Sequence, residues 1–146
     1  MGTAQASDYL ENQLIDHIFR GATFAKPAAL YLALFTAAPS DAGGGTEVTG
    51  GGYTRVNLAP SNTNWNATQG GTSGNSAGSG GQTSNAVAIT FPAPSANWGT
   101  VTHFAIMDAV TGGNYLIWDV LAASRTILSG DPAPSFLAGA LQVTVQ

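Results

Sequence analysis

Glycine, proline and asparagine cut this chain into short apolar segments, and the longest, residues 28–35, runs for eight residues. A helix that buries one face needs about 10–12 residues, and a bilayer-crossing helix about 20. The segment 28–36 (AALYLALFT) is apolar on both faces, carries aromatics and lies between Pro27 and Pro39, which reads as a buried strand. Further strands are expected at 53–58, 86–91, 100–108, 115–121, 125–128 and 141–145. Thr111-Gly112-Gly113-Asn114 reads as the turn of a hairpin. Pro92, Pro94, Pro132 and Pro134 punctuate strand ends, where a missing N–H does least harm. Many short strands with Gly/Pro turns indicate an antiparallel sandwich, jelly roll or barrel.

One helix is expected, over residues 7–20. Ser7 is the N-cap, and Asp8 and Glu11 lie in the first turn, where they favour the helix dipole. Leu10, Leu14, Ile15, Ile18 and Phe19 recur at helical spacing, so this stripe is expected to cover a sheet or a neighbour. Gly21 suits a left-handed position just past the end.

The polar residues are mostly uncharged. Only 8% of the chain is Asp, Glu, Lys or Arg, against about 25% in an ordinary soluble domain. The exterior is therefore uncharged polar, or much of it is hidden against other protein. The net charge of −4 repels a phosphate backbone, so no nucleic-acid partner is expected. With no cysteine, disulfides and thiolate metal sites are excluded. The first residues lack a basic segment followed by an apolar run, so no signal peptide, no membrane partner and synthesis in a cytoplasm are the expectations. The whole chain, 1–146, is read as one domain.

Two segments are loop by composition: 39–52, with clusters of glycine, and 62–85, nearly all Gly, Ser, Thr, Asn and Gln. The second is read as an arm that orders against a partner, or else as a mobile tip.

Candidate chemistry is thin. Gly74-Asn75-Ser76-Ala77-Gly78 matches the G-x-S-x-G elbow of hydrolases, but the tract supplies neither the strand nor the helix that strains that turn. His17 and His103 have no second histidine at metal-binding spacing. Asp108 and Asp119 flank the hairpin and are read as turn caps rather than an acid–base pair. No catalytic residue, cofactor or metal site is expected. Trp118 alternates with Leu116 and Val120 and is read as core, whereas Trp65 and Trp98 border loops and are read as contact residues, with a carbohydrate platform as the rival use.

Longer stretches carry a resemblance. ENQLIDHIFRGATFAKPAALYLALFTAAPSDAGGGTEVTGGGYTR (11–55), THFAIMDAVTGGNYLIWDVL (102–121) and the closing AGALQVTV are similar, in that order, to small tailed-bacteriophage virion proteins. Members are often labelled tail-fibre proteins, and some resemble jelly-roll cement proteins that decorate capsids. The resemblance implies an all-β, jelly-roll-like antiparallel β-sandwich with an N-terminal helix and long Gly-rich loops. It also implies a virion structural part that is not an enzyme. The leading expectation is a cement or decoration protein on the capsid surface, with the major capsid protein and itself, as dimer or trimer, for partners. The alternative is a tail-fibre or tail-associated domain that binds a receptor or carbohydrate. Tyr9, Gln13, Arg20, Glu47, Tyr53, Arg55, Trp65 and Trp98 are the candidate interface residues.

Overall fold

The computed structural model describes residues 4–145. In chain order these form strand β1 (Gln5–Ala6), helix α1 (Asp8–Ile15), a wider π-helical turn (Asp16–Arg20), and strands β2 (Tyr31–Ala37), β3 (Thr46–Glu47), β4 (Val56–Asn57), β5 (Gln82–Ser84), β6 (Ile89–Thr90), β7 (Gly99–Met107), β8 (Tyr115–Ile127), β9 (Ser135–Phe136) and β10 (Gln142–Thr144). The main sheet runs β1-β8-β7-β2-β3, with β4 also on β2, and every pairing is antiparallel. Two short antiparallel ladders, β5 with β10 and β6 with β9, complete an all-β sandwich with one N-terminal helix.

Strand β2 is buried on both faces, as its composition requires. Leu32 and Leu34 join the main core with Phe104, Ile106, Phe91, Ile89, Leu141 and Val143. Ala33 and Phe35 point the other way, into a smaller cluster with Ala105 and Met107. The loop after β2 covers that second face. Tyr115 donates its hydroxyl to the Gly44 carbonyl, and the Trp118 indole N–H donates to Asp41. Trp118 therefore packs half-buried against the smaller cluster, not with Leu116 in the main core. A bulge causes this: Met107 pairs with Tyr115 but Ile106 with Ile117, so Leu116 is the extra residue and the alternation slips there.

A larger irregularity joins the two strands expected at 115–121 and 125–128 into one. Val101 lies opposite Arg125 and His103 opposite Val120, so residues 121–124 bulge opposite Thr102 alone. Strands β1, β3, β5 and β9 were not legible in the sequence, and β5 falls inside the tract read as loop. That tract bonds to itself. Gln69 donates to the Asn75 carbonyl and accepts from the Ala77 N–H, and the Ser76 hydroxyl accepts from the Thr68 N–H.

Helix α1 begins as expected. The Ser7 hydroxyl accepts from the Leu10 N–H at 3.1 Å and donates to the Tyr115 carbonyl, so the cap also fastens the helix to β8. The other end differs. Gly21 has φ 158° and ψ 2°, outside the left-handed helical region. The larger difference is the far end of the apolar stripe: Leu10 and Leu14 are half-buried, but Ile15, Ile18 and Phe19 are 49%, 64% and 79% exposed.

The tract's last residue is a strut. Asn85 is fully buried; its amide donates to the carbonyls of Val87 and Leu137 and accepts from the Leu141 N–H. Replacing it with alanine leaves the buried Leu141 N–H, and the part-buried carbonyls of Val87 and Leu137, without this partner. Asn85→Ala should lower unfolding free energy by about 3 kcal/mol, read from urea denaturation. A loss below about 0.5 kcal/mol would mean that this side chain does not hold the two segments together.

Candidate functional site

The acidic and basic residues of the glycine-rich turn converge on one network. The Arg55 guanidinium forks onto Glu47, with Nε to Oε1 and Nη2 to Oε2 both at 2.8 Å. Its Nη1 donates to the carbonyls of Ala109 and Gly112 at 2.7 and 2.8 Å, clasping the β7–β8 hairpin loop. Tyr53 donates to Glu47 at 3.0 Å and accepts from the Leu34 N–H of β2 at 2.9 Å. Its ring stacks on Phe91 and meets Trp98 edge-on. Burial pushes the Tyr53 hydroxyl well above its ordinary range, and the hydrogen bond to Glu47 raises Arg55. The Arg55 side chain is only 7% exposed.

Glu47, Tyr53 and Arg55 are therefore engaged in tying two loops to β2, while remaining half-buried. Trp98, read as a contact residue at a loop border, lies inside the fold. It is 5% exposed, with its N–H donated to the Gly51 carbonyl, because the glycine turn folds directly over it. Gly51 has φ +56°, and a Cβ there would stand 3.0 Å from the Trp98 nitrogen, so glycine is required. Tyr9 packs half-buried on the main core, Gln13 is half-buried, and Arg20 is exposed and paired with Asp16 at 2.9 Å.

The other candidates are dispersed. Asp108 caps the hairpin by accepting from the Asn114 N–H and amide. Asp119 lies opposite Phe104, buried, with one oxygen accepting from the Val120 N–H. The two carboxylates thus serve separate places in the fold. His17 accepts from the Phe24 N–H, and His103 bonds Thr102. Among the described residues no three His, Asp or Glu side chains gather to hold a metal, and no helix is long and apolar enough to cross a membrane.

Two surfaces stand out among the described residues. The first is the exposed stripe of the helix and its π-helical turn. The second is a cleft of about 520 Å³ beside α1. Its lining includes the apolar Leu30, Ile106 and Ile117, the aromatic Phe24 and Trp65, and the polar Lys26, Asn62 and Asn75. Trp65 is half-buried with its N–H donated to the Leu58 carbonyl, which fixes the ring. Of the lining residues the sequence singled out Trp65 as a contact residue, Leu10 in the helix stripe, and Gly74, Asn75 and Ser76 only as a discounted hydrolase-like match. Phe24, Lys26 and Asn62 carry no local signal, because only the fold brings their segments to one place.

The network yields a pH prediction. Folded Tyr53 keeps its proton where an unfolded tyrosine, at 10.0, releases it. Above that pH the unfolded state binds fewer protons, so stability falls as pH rises. Melting temperature should drop between about pH 9 and 11, and Tyr53→Phe should flatten the drop while lowering stability by about 1–2 kcal/mol at neutral pH. An unchanged slope would contradict the burial of this hydroxyl.

The family model described as "Podophage GP4 fiber I protein gp80" matches residues 5–144. No curated protein matches the chain. A match over nearly the full length shows that the chain belongs to this family, and with it to the structural proteins of the bacteriophage virion.

Proposed function

From that membership we propose that the chain is a fibre subunit of a podophage particle, built into it by copies of the chain joining through the N-terminal helix. The fibre description fits the tail-fibre alternative better than capsid cement. One observation carries the assembly reading: Ile15, Ile18 and Phe19 lie exposed along one helical stretch, although aromatic and aliphatic side chains of this size are costly to leave in water. A two-fold interface would set this same stripe of one copy against that of another. The charges beside it do not oppose that, since Asp16 and Arg20 neutralise each other within the chain. The function is binding and assembly rather than turnover, consistent with Asp108 and Asp119 being spent separately in the fold.

A second reading adds receptor contact. It is favoured by the cleft, whose lining includes aromatic and amide side chains on a chain with little charge.

The stripe provides the test. Ile18→Ser combined with Phe19→Ser changes only exposed side chains, so unfolding free energy should move by no more than about 0.5 kcal/mol. Sedimentation should show wild type associating and the variant monomeric, and the variant should be missing from purified virions. Wild-type association and incorporation by the variant would refute the helix-mediated assembly.

A further inference from the structure

A second apolar feature lies at the larger irregularity of the main sheet. Where residues 121–124 bulge opposite Thr102, a pocket of about 260 Å³ opens. Leu121, Ala122 and Ala123 of the bulge line it, together with Leu34, Val101 and Phe136. Bulges re-aim side chains and interrupt pairing, and this one leaves apolar groups uncovered. Three exposed large side chains adjoin the pocket in sequence: Val120 before Leu121, Leu128 after Ile127 and Leu137 after Phe136. No residue of the N-terminal helix lines it, so the chain's own stripe does not fill it.

The size of the pocket selects its occupant. It lies below the usual range of small-molecule sites, about 300–1,000 Å³, yet a cavity of about 150 Å³ accepts a benzene ring. One phenyl side chain with an aliphatic neighbour suits that interval. Phe19 is the exposed phenyl group among the described residues, and Ile15 and Ile18 accompany it.

Charge supplies the orientation. Arg125 lines the pocket, is exposed and has no ion-pair partner among the described residues. Glu11 is exposed one helical turn before Ile15 and is equally unpaired among them. Asp16, closer to Phe19, is already held by Arg20. A stripe set on the stripe of another copy would leave both Arg125 and the pocket unanswered. A stripe set into the pocket answers both.

We propose that copies of the chain join head to tail, with Phe19 of one copy seated in the bulge pocket of the next and Glu11 of the first paired with Arg125 of the second. This contact rests on the helix-mediated assembly proposed above and names what the helix docks on. The two patches differ and every copy carries both, so the contact repeats into a ring or a filament.

Sedimentation of full-length variants tests it. Phe19→Ser removes the knob, and Ala122→Gln with Ala123→Gln occludes the pocket at two exposed positions. Each variant should keep the wild-type melting curve and weaken association at least about tenfold. Mixed in equal amounts they should form a heterodimer, because one supplies an intact pocket and the other an intact stripe. Glu11→Lys and Arg125→Glu should each weaken association several-fold, and the chain carrying both should regain it.

A pocket variant that associates like wild type, a mixture that stays monomeric, or no recovery in the charge-swapped chain would overturn the proposal. If Phe19→Ser is monomeric in any of those cases, the stripe docks elsewhere and the assembly reading stands. If Phe19→Ser associates like wild type, helix-mediated assembly falls and this contact falls with it.

Discussion

Strand β2 needs cover on both faces, and much of the architecture follows from meeting that demand. Leu32 and Leu34 are roofed by the short ladders and Phe91, while Ala33 and Phe35 are roofed by the loop that Asp41 and Gly44 fasten to Trp118 and Tyr115. The helix is pinned at its first turn to β8 through Ser7, and Tyr9 packs on the main core. Beyond that turn it leaves Ile15, Ile18 and Phe19 in solvent.

Scarcity of charge governs the rest. With four basic residues in the chain, one of them, Arg55, is sequestered to lock Glu47 and the hairpin loop. A buried ion pair is weak evidence for stability in general. Here it is supplemented by two carbonyls and the Tyr53 hydroxyl, so no nitrogen or oxygen of the fork depends on water alone. The surface left over is polar but largely neutral. Such a surface is less costly to desolvate against another subunit or a sugar than one crowded with ions.

The sequence disclosed the long elements and the caps. Residues 28–36 carried too many apolar side chains for one covered face, and Ser7 with Asp8 and Glu11 marked the helix start. It disclosed less where the outcome depends on distant packing. Strands of two or three residues, such as β1, β3 and β9, have no period to detect. Asn85 looked like the end of a low-complexity arm, yet its partners lie at Leu137 and Leu141. Trp98 looked like a loop-border contact until Gly51 closed over it. The cleft was invisible for the same reason, since Phe24, Asn62 and Ile117 share no local pattern.

The central claim is that the surplus apolar stripe is buried once the particle is built. Hydroxyl-radical footprinting of Phe19 and Ile18, in the isolated chain diluted to monomer and in intact virions, measures this directly. The account predicts strong labelling of both in the monomer and strong protection in the particle. Equal labelling in the two states would contradict it.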